Sequence, residues 1–328
     1  MTKELDAKDW KILYQLCQDA RLSHNRIAKL VGLSKNAVTY RIERLKKKGV
    51  IQGFFTIINY SKLGLSSCNI LIRTAQSTKE REKDLKDFLK TDKRISVTDC
   101  LLGEWDFLIE FISGNLEELN SFITDIKSKF SDIIDMYEIH SPLESYKVEQ
   151  LPVELVEEKP VIKPQEFKPA DFDKTDLQLL SELNKNSIAP LFELGDKLGL
   201  TYETVSARIK KLRESGIIKK FTAKVGLHNL GYDVYLILLE LRKFSKEREQ
   251  ALKSYLSFQK NIRYSFLSGS RPFLFVYLAV KSSAELNTFL VGIKEKFSDI
   301  VINQKYLLST GLLKYDLFPE AAVNLKIE

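Results

Sequence analysis

The residues of this chain best equipped for direct chemistry are Lys35, Asn36, Thr39, Tyr40, Arg41, Arg44 and Lys47, within the stretch SKNAVTYRIERLKKKGVI at 34–51. One amide, two hydroxyls and four cations at helical spacing are groups that bond base edges and phosphates; they are not a set that breaks covalent bonds. An asparagine offers a paired donor and acceptor that match adenine, and Thr39 or Tyr40 can reach a base edge or a phosphate. Arginine and lysine more naturally grip phosphates, fixing register without reading sequence. Arg41 has a competing use in an ion pair with an acidic residue of its own module. The lysines at 46–48 equally suit a solvated helix end, where cations complement the helix dipole.

The element that must carry them reads as a helix. Ser34 is a good N-cap, Gly49 suits the left-handed residue that ends a helix, and Val38, Ile42 and Leu45 form one narrow apolar stripe. Asn36, Tyr40, Glu43 and Lys47 then face the opposite way, flanked by Thr39 and Arg44. Upstream, Asp6 can cap a helix running to about Asp19, with Leu13, Leu16 and either Trp10 or Ile12 inward. Ser23 caps a short helix carrying Ile27 and Leu30, closed by Gly32. Helix, short helix, tight turn and third helix is the helix-turn-helix order, whose third helix lies in the DNA major groove. The β-branched and aromatic run from Val50 to Ile58 predicts a strand or wing leading out of it. Charge agrees: residues 1–52 hold 12 Lys plus Arg against 5 Asp plus Glu, a net +7 that equals the excess of the whole 328-residue chain.

The chain then repeats itself. An offset of 167 positions matches Asp6, Asp9, Gly32, Leu33, Val38, Arg41, Ile42, Leu45, Gly49 and Ile51 to Asp173, Asp176, Gly199, Leu200, Val205, Arg208, Ile209, Leu212, Gly216 and Ile218. Phe130-Ser131-Asp132-Ile133 returns as Phe297-Ser298-Asp299-Ile300. Two copies of this length indicate a duplicated two-domain unit rather than a solenoid. The joint, residues 149–170, holds four of the eight prolines and no helical period, so it reads as an extended, semi-stiff tether. On the second third helix Arg208 and Lys210 are the candidate DNA contacts, but Glu203, Ala207, Lys210 and Glu214 replace Asn36, Tyr40, Glu43 and Lys47. Residues 171–220 carry 9 basic and 8 acidic side chains, a net +1. Carboxylates facing a groove oppose phosphate, so this module is expected to bind DNA weakly, to read a different half-site, or to act as a scaffold.

After each such module the period changes. Strands at 67–74, 95–102, 106–112 and 133–140 and helices at 79–90 and 116–130 give the order βαββαβ, a ferredoxin-like antiparallel sheet with two helices on one face. Apolar residues on both strand faces, such as Leu108, Ile109 and Phe111, predict sheet-to-sheet packing between two copies. The fold class is therefore α+β, two winged helix-turn-helix domains alternating with two ferredoxin-like domains. The boundaries are 1–60, 61–148, a linker at 149–170, 171–227 and 228–328. Cys17, Cys68 and Cys100 show no metal spacing and sit in apolar-periodic segments, as buried free thiols of a reducing, cytoplasmic setting. Apolar runs are strand length, so no membrane partner is expected. No zinc spacing, P-loop, GxGxxG or nucleophile elbow points to a metal, a cofactor or an enzyme.

Taken in order, LDAKDWKIL, IAKLVGLS, VTYRIERLKKKGVI and LGEWDFLIEF resemble the Lrp/AsnC (feast/famine) family of transcription regulators, over residues 5–147 and more loosely 172–316. The resemblance implies DNA-binding modules joined to effector-binding and oligomerisation domains. Double-stranded DNA is then the main partner, with a small-molecule effector and either a homo-oligomer or a pseudo-dimer within one chain. Gly103, Trp105 and Asp106 are similar to the family's glycine-x-aromatic-aspartate turn near the effector. Asp106 could accept from an ammonium group there, or simply bond its own backbone. The corresponding Gly269-Ser270-Arg271-Pro272 has lost the acid. The strongest rival is the siroheme decarboxylase group, which resembles the same plan; His24, His140 and His228, well separated in sequence, form no histidine motif for a tetrapyrrole.

Overall fold

The structure, a computed structural model, describes residues 5–149, 151–152, 170–242, 245–269 and 273–323. Most of the 149–170 tether and the turn residues Ser270, Arg271 and Pro272 lie outside the described residues.

The first module folds as α1 (Ala7–Gln18), α2 (His24–Val31) and α3 (Lys35–Lys47), followed by β1 (Ile51–Ile58). Its local signals act as anticipated. Asp6, Ser23 and Ser34 each accept from backbone N–H groups of the helix they open, and Gly32 closes α2 in the left-handed region at φ 67°. Ile12, not Trp10, joins Leu13 and Leu16 in a core with Ile27, Val38, Ile42 and Leu45. After a 3-10 turn at Tyr60–Leu63 come β2 (Ser66–Thr74), α4 (Lys79–Thr91), β3 (Ile95–Leu102), β4 (Phe107–Ser113), α5 (Leu116–Phe130), β5 (Ile134–His140) and β6 (Pro142–Val148).

The second half repeats the order with α6 (Lys174–Lys185), α7 (Leu191–Leu198), α8 (Tyr202–Glu214), β7 (Ile218–Val225), β8 (Asp233–Leu241), α9 (Lys246–Phe258), β9 (Ile262–Ser268), β10 (Phe273–Val280), α10 (Ser283–Phe297), β11 (Val301–Tyr315) and α11 (Glu320–Val323).

The halves pair within one polypeptide, in two places. At the helix-turn-helix end, β1 and β7 form an antiparallel pair. Each strand also crosses to the other module's first helix. Ala20 N–H donates to the Phe221 carbonyl at 3.0 Å and, 167 positions on, Ser187 N–H donates to the Phe54 carbonyl at 3.1 Å. Thr222 Oγ1 donates to the Cys17 carbonyl and Thr56 Oγ1 to the Leu183 carbonyl, both at 2.9 Å. Arg21 adds bonds to the carbonyls of Ser187 and Ala189. The segment expected as a strand or wing is thus a strand exchanged between modules, and it fixes them to each other.

At the other end, nine strands form one sheet in the order β5-β2-β4-β3-β11-β8-β10-β9-β6. The first part of β11 pairs with β8 of its own half and the last part with β3 of the other half. β5 and β6 do the same in mirror fashion, on β2 and β9, with only Ser141 between them. The two ends of the strand order therefore meet in one continuous segment, and the sheet curls back on itself. Its concave face is a shared core: Leu71, Leu101, Trp105 and Leu108 from the first half against Leu236, Leu238, Phe266, Phe275 and Leu307 from the second. The Phe266 and Phe275 rings stack at 4.6 Å. This is the expected sheet-to-sheet packing, realised inside one chain, with each buried Leu or Phe contributing about 1.5–3 kcal/mol. Helices α4, α5, α9 and α10 cover the convex faces through two separate cores. Cys17 and Cys68 are buried free thiols, each pushed up to about 12 by burial.

One polar group breaks the pattern on the concave side. Asp99 on β3 is 3 % exposed, and burial raises its carboxyl to about 6 although Ser309 donates to it at 2.6 Å and Arg263 lies near. Between roughly pH 4 and 6 the folded chain keeps a proton that the unfolded chain has released, so stability falls as pH rises through that window. At neutral pH Asp99→Asn is expected to stabilise the chain by about 2–3 kcal/mol. Urea denaturation of both proteins at pH 4.5 and 7.5 checks this, and an equal difference at the two pH values contradicts it.

Candidate nucleic-acid interface

Helix α3 owes its position to the buried stripe Val38, Ile42 and Leu45, which turns its other side outward. Lys35, Asn36, Tyr40, Glu43 and Lys47 are all exposed, Tyr40 at 68 %, a high value for a large aromatic side chain. Asn36 lies one turn before Tyr40 on the same face, near the positively polarised N-terminus of the helix.

Three other expected contacts are otherwise engaged. Arg41 donates to Asp6 at 2.7 Å and to Asp9 at 2.8 Å, and Arg44 donates to Asp9 at 2.5 Å. Asp9 is 1 % exposed and also completes the capping box of α1. A buried carboxylate needs cations, and α3 passes close enough to supply two. The hydrogen bonds Arg41 donates to Asp6 and Asp9 raise its guanidinium above its ordinary value. The second copy keeps the device, with Arg208 donating to Asp173 and Asp176 at 2.7 Å. Arg41, Arg44 and Arg208, expected as phosphate grips, are thus engaged by carboxylates and tie the third helix of each module to its first. The sequence held the clue, because the Asp-x-x-Asp and Arg recur together at the same offset.

Thr39 is partly engaged as well. Its hydroxyl donates to the Lys35 carbonyl at 3.0 Å and lies 2.8 Å from His24 Nδ1. Burial, and then the nearby Lys46, lower His24, which favours its neutral form. Asn25 and Arg26 are also exposed, on the first turn of α2 behind the Ser23 cap.

On α8 the matching face is exposed but differently charged. Tyr202, Glu203, Ala207, Lys210 and Glu214 face solvent, and Lys210 leans on Glu214 at 3.8 Å. Lys210, a candidate contact, thus has an acidic neighbour one turn away. Lys211, standing where the first module has Arg44, lies 3.7 Å from Asp176.

At the expected effector turn the side chains are engaged within the protein. Trp105 is 2 % exposed within the shared concave core, and Asp106 Oδ2 accepts from the Thr74 N–H at 2.6 Å and its hydroxyl at 2.9 Å. Gly103 has φ 145°, and a Cβ there would meet Leu307 at 2.6 Å. Gly103, Trp105 and Asp106 close the β3–β4 hairpin against β2 and the neighbouring strand. The three histidines are not gathered either: His24 lies on α2, His140 on β5 facing Ser268 and Glu138, and His228 on the turn after β7. Among the described residues no group of three or more His, Cys, Asp or Glu is placed to hold a metal ion, and no helix is long and apolar enough to cross a membrane.

Comparison with known proteins gives four findings. A winged helix-turn-helix DNA-binding family model matches residues 5–52 and again 172–219. A helix-turn-helix-type transcriptional regulator of Pyrococcus furiosus is 33% identical over 144 residues, 44% of this chain and 95% of that protein, so a whole relative corresponds to one unit of the duplication. Among solved structures, the siroheme decarboxylase NirDL aligns over 96% of both chains with a TM-score of 0.65 and 14% identity, a likeness of fold alone. An AsnC family regulator from Agrobacterium tumefaciens aligns over 43% of this chain and 91% of its own, at 23% identity and a TM-score of 0.39.

Proposed function

The chain belongs to the Lrp/AsnC family of DNA-binding transcription regulators as a tandem duplication, and from that premise we propose that a single polypeptide presents two recognition helices to one duplex, as a dimer would. The observation that carries this is the exposed face of α3, with Asn36 and Tyr40 outward, on a module locked to its twin by exchanged strands. Asn36 and Tyr40 contact base edges; Lys35 and Lys47 contact phosphates. The α8 face, with Glu203 and Glu214, contributes a weaker or differently read half-site, with Lys210 its remaining cation. The operator is therefore expected to be an imperfect palindrome whose two halves are protected unequally. A small-molecule effector tunes this binding, and further copies of the chain assemble around it.

The test is duplex selection from a random pool with the full chain, followed by affinity against salt. Binding should fall linearly in log–log form, each phosphate contact adding about 0.9 to the slope, and Lys35→Ala should lower the slope by about one. Absence of duplex binding at about 50 mM salt would remove the reading.

A second reading is favoured by the full-length architectural match, which embraces both halves and their pairing. On that reading the chain handles a tetrapyrrole rather than an operator. A Soret band that survives purification, or appears on titrating siroheme, supports it; its absence together with steep salt-dependent duplex binding defeats it.

A further inference from the structure

Helices α3 and α8 are held in one pose by the same devices, yet they present different groups. Ser34 Oγ accepts from the Ala37 N–H at 3.2 Å and Thr201 Oγ1 from the Thr204 N–H at 3.3 Å, so both helices begin at the same place. Val38, Ile42 and Leu45 are buried on the one, and Val205, Ile209 and Leu212 on the other. Arg41 donates to Asp6 and Asp9 and Arg208 to Asp173 and Asp176, all at 2.7 or 2.8 Å, which fixes the rotation of each helix. With cap, stripe and anchor shared, a residue of α8 faces whatever its counterpart 167 positions earlier faces on α3.

The counterpart of Asn36 is Glu203. Each is the second residue of its helix and each is exposed. The other carboxylates on these two helices have cations beside them: Glu43 accepts from Lys46 at 2.9 Å, and Glu214 lies 3.8 Å from Lys210. Glu203 has no cation within ion-pair distance among the described residues, since Lys211 stands 3.7 Å from Asp176 and Arg208 is held by its two aspartates. One turn on, Ala207 replaces Tyr40, so no ring stands beside this carboxylate on the outward face.

An amide both donates and accepts, whereas a carboxylate only accepts. In the major groove guanine shows two acceptors, and thymine an acceptor and a methyl group; neither offers a carboxylate a donor. Adenine offers its amino group next to the acceptor N7, an arrangement that suits an amide and repels the second oxygen of a carboxylate. Cytosine offers an amino donor alone. The positively polarised N-terminus of α8 offsets part of the repulsion from nearby phosphates.

We propose that Glu203 is a base-reading residue, accepting from the amino group of a cytosine at the place in its half-site where Asn36 meets an adenine in the other. The inference rests on the operator reading above and names the base that distinguishes the second half-site. Because β1 and β7 join the modules within one chain, the two readings are carried together. The chain then lies on its operator in one direction only, which two identical subunits could not ensure.

Duplex selection from a random pool, with the full chain and its Glu203 variants, tests this. Asn36→Ala marks the adenine half by losing preference there. At the equivalent place in the other half the parent chain is expected to select cytosine, and Glu203→Asn to move that preference to adenine by about tenfold or more. Should Glu203→Asn fail to fold, as judged by circular dichroism, the isosteric Glu203→Gln carries the same expectation, because its amide also matches adenine. Glu203→Ala erases the cytosine preference while changing affinity little, as the lost bond and the relieved repulsion from phosphate offset each other. Another base selected by the parent at that place, a preference unmoved by the amide variants, or affinity raised equally for all sequences in Glu203→Ala overturns the assignment and leaves the operator reading standing. A parent chain that binds no duplex refutes the operator reading itself, and the assignment falls with it.

Discussion

Alanine at Asn36 is expected to lower affinity for the selected duplex about 10- to 100-fold, and to relax preference at one base position, while leaving the unfolding midpoint unchanged. A paired amide contact to a base contributes about 1–3 kcal/mol of discrimination. Nothing inside the protein depends on this side chain, because it projects from the exposed face of α3. Tyr40→Ala should behave alike, as the ring is 68 % exposed. The corresponding change on α8, Glu203→Ala, removes no amide or ring, position 207 being alanine already, and should affect affinity for the second half-site far less. Duplex titrations on the selected operator and on single-base variants read both effects. Full affinity in Asn36→Ala with Tyr40→Ala would sink the proposed face.

The largest effect on stability is expected one turn away. Replacing Arg41 and Arg44 together by methionine leaves Asp9, 1 % exposed, with its charge buried and both cationic partners gone. Breaking a buried pair in this way costs about 3–5 kcal/mol, because the orphaned charge cannot be rehydrated without opening the core. Adding Asp9→Asn to that variant should recover most of the loss, since an amide oxygen still serves the α1 cap without a charge to neutralise. A phosphate-gripping role predicts the opposite: stability intact and affinity lost across all sequences. Thermal or urea unfolding of the parent chain and the two variants distinguishes the two, and an unshifted midpoint in the double variant counts against the structural role.

The two experiments separate residues that sequence alone placed together. Seven side chains on α3 were candidates for one job because they share spacing and chemistry. The structure divides them by what lies on the other side of the helix. Asn36 and Tyr40 face solvent; Arg41 and Arg44 face the capping box of α1; Thr39 is engaged by His24 and its own backbone. Helical periodicity specifies direction to within a fraction of a turn, but an arginine is long enough to reach sideways to a carboxylate from another helix.

What the sequence determined by itself was local and periodic. Caps at Asp6, Ser23 and Ser34, the left-handed Gly32, the stripe on α3 and the strand and helix order of the first half as far as β5 follow from short-range rules and stand in the structure within a residue or so, whereas β6 was not among the expected strands. The duplication was visible as well, since it needs only self-comparison. What tertiary structure alone decided was how the halves use each other. The exchanged β1–β7 pair and the reach of β11 to β3 and of β6 to β9 in the opposite half all join residues more than 100 positions apart. Such pairings are set by which strand edges remain open after each unit folds, and by bulges that turn one side chain inward. No window of neighbouring residues encodes either.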